Sequence, residues 1–289
     1  MTNTADAKPL RSPLVRLVIA LAFVVPVLVA QIAVWRLRPF IGALATAALS
    51  AAMASLVGWA AYRAYVRRFE RREPSELAAG GAGREVGAGF AIGCALFTAT
   101  ICAIALFGAY RATGFGEAIA VVVALLMAIG AGAIEEIVFR GVVFRLLEEW
   151  GGTTVGLAAS ALLFGGLHCL NPQATLLGVA AIVLLGGIML AAAYVLTRRL
   201  WLPIGIHAGW NFAEGGIFGV PTSGFATKGL LVGELGGPVW LSGGSFGPES
   251  SIVAVVVCLA AAAVLLRRAA QRDRFVAARW KRRQPPENA

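Results

Sequence analysis

The chain is a succession of apolar runs of roughly membrane length, separated by short polar or glycine-containing breaks. Nothing else in it restricts the fold as much. Runs at 17–35, 40–62, 86–110, 118–147, 154–170, 174–196, 202–220 and 251–266 predict eight spans. A bilayer crossing needs about 20 helical residues, so the fourth run is long and the last is short. In lipid a backbone must satisfy its own N–H and C=O groups, which makes each run a helix and the whole a bundle. Composition agrees: 59% of residues are hydrophobic and 14% charged, against roughly 45–50% and 25% in soluble domains. The expected class is an all-α, polytopic membrane protein. Lys8 and Arg11 precede the first run, as in a signal peptide. That run ends in Trp35-Arg36 without a small-residue cleavage site, so it reads as an uncleaved span.

The net charge of +10 lies in loops and at the tail, which points to a membrane surface rather than to nucleic acid. With the N-terminus placed in the cytoplasm, the inside segments hold twenty Lys and Arg. The outside loops hold only Arg36, Arg38, Arg111 and Lys228. Both termini are therefore expected to be cytoplasmic, in a multi-pass protein of the cell membrane. Four regions follow: a three-span part with a basic loop (1–117), a central core (118–220), a glycine-rich external loop (221–250), and a last span with a basic tail (251–289). The loop either stays external or folds back on the bundle. The tail, ending in Trp280-Lys281-Arg282-Arg283, either lies on the anionic membrane surface or is simply solvated. Cys94, Cys102, Cys169 and Cys258 show no metal-site spacing and read as small apolar residues. Cys169, beside His168, is the one to inspect as a ligand.

Three charges interrupt the fourth run: Glu135, Glu136 and Arg140. Each costs a few kcal/mol on insertion scales, and such groups are functional by default. Glu136 and Arg140 are i, i+4 with the acid N-terminal, the better orientation for a pair. Glu135 projects about 100° away and has no local partner. An unpaired buried carboxylate can take a proton near neutral pH, which makes Glu135 the candidate general base. The bland alternative is a structural ion pair with a stray acid.

The chain has two histidines, both in apolar runs. Phe164 and His168 share a helix face. Glu135 and His168 are nearly equidistant from the break near Gly151, so an antiparallel hairpin puts them at one depth. His207 and Asn211 are again i, i+4, with Glu214 a turn further on. Imidazole and carboxamide on one face can donate to a developing oxyanion, or can simply bond a neighbouring helix. One point fits poorly: His168 lies towards the outer end of its span and His207 just behind a cytoplasmic connection. They meet only if the span between them tilts or the connection dips inward.

Together, Glu135-Glu136-Ile-Val-Phe-Arg140, Phe164-Gly-Gly-Leu-His168 and His207-Ala-Gly-Trp-Asn211 resemble the three ordered motifs of the CPBP family. These are the CAAX proteases and bacteriocin-processing proteins, also called Abi. The resemblance covers about residues 118–219. It implies an intramembrane endopeptidase acting on a membrane-associated peptide or protein. Glu135 and His168 would activate water, His207 and Asn211 would stabilise the oxyanion, and Glu136 with Arg140 would hold the site. The metal stays open. His168, His207 and Glu135 could bind Zn²⁺ with a free position for water, or a carboxylate could act as base without one. Two rival readings stand beside proteolysis. One is a non-catalytic immunity or adaptor protein. The other is an ion-coupled transporter, disfavoured because the intramembrane charge is confined to the second half of the chain.

Overall fold

The computed structural model describes residues 12–281; Lys8, Arg11, Arg282 and Arg283, counted above, lie outside these described residues. Among them, six helical stretches are long and apolar enough to cross a membrane. They are α1 (Pro13–Arg36), α2 (Arg38–Glu70), α3 (Ala82–Leu106), α4 (Ala118–Leu170), α5 (Leu176–Thr197) and, last in the chain, α8 (Ile252–Ala270). The expected runs 118–147 and 154–170 both fall within the 53 residues of α4. They lie on either side of Gly152, where the backbone leaves the helical region at φ 82°, ψ 172°. The run at 202–220 becomes α6 (Trp201–Asn211), continued by a π-helical turn over Phe212–Ile217. It is shorter than the others.

Outward-facing positions such as Val18, Val29, Leu162, Leu163 and Val256 are exposed apolar side chains. On helices of this length such faces suit lipid. Inside, the strongest helix contact is between α3 and α6, and it is built on glycine. A Cβ on Gly93 would stand 2.1 Å from the Ile206 carbonyl oxygen, and one on Gly209 2.1 Å from that of Phe90. Gly89 and Gly205 face each other across the same seam. Small residues four apart let two backbones meet, as is common in membrane helices. His207 sits between Gly205 and Gly209, so this seam fixes its place.

The two ends of the bundle differ. At one end charges gather: Arg16 pairs with Glu70 and Glu149, Arg145 with Glu70 at 2.6 Å, Arg198 with Glu148, and Arg199 with Glu85 at 3.1 Å. The tail docks here too. Thr153 N–H donates to the Val276 carbonyl at 3.0 Å, Val276 N–H donates to the Thr153 hydroxyl at 2.8 Å, and Trp280 meets Trp150 edge to face. A Cβ on Gly152 would be 2.8 Å from Val276 O, so the corner of α4 admits the tail only as glycine.

At the other end a two-stranded antiparallel sheet joins β1 (Tyr110–Phe115) to β2 (Leu231–Leu235), with an irregularity between Ala112 and Gly114. The glycine-rich segment does fold back. It adds a short helix, α7 (Val239–Ser242), and a turn at Pro248–Ser250, and it buries Phe246 and Glu249 against the bundle.

Candidate active site

The first motif occupies a widened stretch of α4. The helix is regular to Glu136 and π-helical over Ile137–Phe144; π-turns of this kind are frequent at functional sites. Glu136 is fully buried. Its Oε1 accepts from Arg140 Nη1 at 2.9 Å, as the spacing predicts, and from His207 Nδ1 at 2.8 Å. Arg140, 1% exposed, also donates from Nη2 to the Gly186 and Gly187 carbonyls of α5, at 2.7 and 3.2 Å. Its guanidinium lies 4.6 Å from the centroid of the Phe164 ring. One buried acid thus binds the first motif to the third, and one buried cation binds both to the second.

Phe164 resolves the depth problem. Its ring centroid is 4.9 Å from that of His168 and 6.1 Å from that of His207. The two imidazoles stand around one phenyl ring. His168 also leans back along its helix, with Nδ1 2.8 Å from the Phe164 carbonyl. A carbonyl can only accept, so Nδ1 carries the proton, and in the neutral ring Nε2 is left with a free lone pair. His168, His207 and Asn211 line one cavity of about 30 Å³.

Glu135 departs from the expectation of a buried, solitary acid. Its side chain is 32% exposed, and its Oε2 is 3.8 Å from His207 Nε2. The 100° offset from Glu136 turns it towards a second cavity of about 160 Å³, shared with Gln31, Ser50 and Met127 of neighbouring helices and of α4 itself. The two glutamates therefore flank the two nitrogens of His207, Glu136 at Nδ1 and Glu135 at Nε2.

The donor set is not gathered for a metal. Among the described residues no three His, Cys, Asp or Glu side chains form a group that could hold an ion. His207 Nδ1 is taken by Glu136, and Cys169 is exposed and free. Two residues absent from the motif pattern belong to the site. Ser223 and Glu249, from the glycine-rich segment, form part of the wall shared by His168, His207 and Asn211. No periodicity marked them. Glu214, noted only for its place one turn past Asn211, is fully buried.

The geometry defines a class: a polytopic helical membrane protein whose buried Glu, Arg and His residues come together from three separate helical segments. Residues 117–213 match the family model described as Rce1-like, "Type II CAAX prenyl endopeptidase Rce1-like". The match spans all three motifs, bears out the family resemblance drawn from them, and supports an intramembrane endopeptidase in general. No curated protein and no solved structure matches the chain.

Proposed function

We propose that this protein cleaves a peptide bond of a membrane-associated protein or peptide, using water activated by Glu135 and His168. The observation that carries this reading is the convergence just described. Motifs 24 or more residues apart meet through the Glu136–His207 hydrogen bond and around the Phe164 ring. In the reading, Glu135 takes a proton from water as the water oxygen bonds to the scissile carbonyl carbon. The 3.8 Å between Glu135 Oε2 and His207 Nε2 is too long for a direct hydrogen bond. A water bridging the two would close it. His168 lines the first cavity, on the other side of His207 from Glu135, and offers Nε2 there as a second acceptor. His207 and Asn211 face the cavity together; with Nδ1–H given to Glu136, His207 donates to the oxyanion from Nε2 as the imidazolium, beside the Asn211 amide. Glu136 and Arg140 hold His207 and Phe164 in place and touch no reacting atom. No step runs through a metal.

Comparative membrane proteomics tests the reading. Cells carrying wild-type protein should show new peptide ends in membrane proteins that are missing from cells carrying Glu135→Gln. Identical peptide ends in the two would sink it.

A further inference from the structure

The small cavity has a wall that the three motifs do not supply. Beyond His168, His207, Asn211 and the third motif's own Trp210 stand Ser223 and Glu249. Its volume of about 30 Å³ is room for a water or two, since one needs about 10–15 Å³. Glu249 is 2% exposed and Glu214, behind it, 0%. Glu249 Oε1, both Glu214 carboxylate oxygens and the Trp210 indole nitrogen lack a hydrogen-bond partner among the described residues. The two carboxylates are close enough to act on each other, and Glu249 shares the cavity wall with His168.

Their placement is built rather than incidental. Ser250 Oγ donates to the Gly243 and Gly247 carbonyls at 2.8 and 3.0 Å, and Ser251 caps α8 by accepting from Ala254 N–H at 3.1 Å. The turn carrying Glu249 is thereby fixed. Gly247 lies directly over Glu214, where a Cβ would stand 3.4 Å from Oε1.

We propose that Glu249, paired with Glu214, is the proton donor to the departing amine of this site; the assignment rests on the endopeptidase reading above. Two buried carboxylates side by side cannot both ionise cheaply, so the pair retains a proton. Burial raises the Glu249 carboxyl above the usual carboxylate range, and the hydrogen bond with Ser223 pulls it partly back. An acid that keeps its proton beside the cavity is what an amide leaving group needs. Base and acid are then separate groups. Glu135 is absent from this cavity wall and faces His207 from the other cavity. The step balances. The water oxygen bonds to the carbonyl carbon while its proton passes to Glu135. The C–N bond breaks as the amine nitrogen takes a proton from Glu249. The proton on Glu135 returns to the pair through water, so one water is consumed and one acid and one amine are released.

Two measurements on the purified full chain test this. The first needs no substrate. Infrared difference spectra of wild type against Glu249→Gln and against Glu214→Gln should each show loss of the carbonyl stretch of a protonated buried carboxyl at neutral pH. Absence of that band overturns the shared proton whatever the activity. The second compares a cleaved membrane peptide with a nitrophenyl ester of its acyl segment, whose leaving group departs without a proton. Glu249→Gln should lose about 10²–10⁴ in amide hydrolysis and keep most ester hydrolysis, while Glu135→Gln loses both. Equal loss of both substrates in Glu249→Gln would make its role structural and overturn the proposal. Wild-type protein that hydrolyses neither overturns the endopeptidase reading, and with it the donor role.

Discussion

Arg140 is the residue through which the three motifs hold together. It pairs with Glu136, reaches two carbonyls of α5 and lies over Phe164. Removing it leaves a buried carboxylate with only His207 for a partner. Breaking a buried pair in this way costs about 3–5 kcal/mol. Arg140→Ala should therefore melt markedly earlier than wild type in detergent, and Arg140→Lys, which keeps the charge but not the fork, should recover only part of the loss. A melting temperature equal to wild type would show that the pair is not what holds the site. Glu135 is different, since it faces His207 at 3.8 Å and a cavity it shares with Gln31, Ser50 and Met127, with no ion pair to an Arg or Lys among the described residues. Glu135→Gln should leave melting unchanged while proteolysis drops by about 10²–10⁴. The division between the two glutamates was legible in the sequence, because a 100° step on a helix separates adjacent side chains and i, i+4 spacing joins Glu136 to Arg140. Glu249 was not legible. It lies in a glycine-rich segment where no period relates a residue to a face, and only the folding back of that segment brings it to His168.

At the scale of elements, helix seams decide where those residues stand. The α3–α6 seam admits no side chain at Gly93 or Gly209, where the obstacle is backbone rather than a movable side-chain end. Gly93→Ala should push α6 away and loosen His207 from Glu136. Overpacking of this kind costs about 1–3 kcal/mol, occasionally more. The expected result is lower thermal stability together with lower activity. Gly83→Ala on the same helix, with open space around it, should behave as wild type. The spacing 89/93 and 205/209 was present in the sequence as a small-xxx-small signal, but long apolar runs with many glycines offer several such pairs, and only packing selects one. The strands were hidden for another reason. Tyr110 reads as the end of an apolar run, yet its partner Leu235 lies in the distant glycine-rich segment, and pairing at that separation leaves no local trace. The link between α2 and α3 adds a pH dependence. Burial opposes ionisation of Glu76, but the hydrogen bond from Arg72 and the charges of Arg145 and Arg72 outweigh it and lower the carboxyl from 4.5 to about 2. A lowered folded-state pKa stabilises above the unfolded value, and that contribution is lost as pH falls towards the folded one. Melting temperature should therefore drop between roughly pH 4.5 and 2, and Glu76→Gln should flatten that part of the curve. An unchanged slope in Glu76→Gln would remove Glu76 from the account.

For the whole molecule, helical membrane class and a bundle were legible because charge-free runs of this length have no other stable form in lipid. The number of spans was less so, because a glycine corner inside α4 and the shortness of α6 are set by packing rather than by hydropathy. Orientation is an expectation from the Lys and Arg bias, and the fold shows which segments should share a side. The start of α1, the end of α2, the corner of α4, the connection after α5 and the tail after α8 all meet at one end, through the Arg16, Arg145 and Arg198 pairs and the Thr153–Val276 contacts. The sheet lies where α3 ends and α4 begins, and so belongs to the opposite end. By the positive-inside rule the end that carries these arginines is the one expected in the cytoplasm. Reporter fusions after Ala289 and within the loop 67–76 should therefore give a cytoplasmic signal, and one at Lys228 an external signal. If Lys228 reports from the cytoplasm while Ala289 does so too, the glycine-rich segment and the tail share a side. The orientation taken from the Lys and Arg bias would then be wrong for the second half of the chain. If Ala289 and the loop report from opposite sides, the number of crossings between them is odd. The arrangement of charged ends seen here would then fail as a guide to topology.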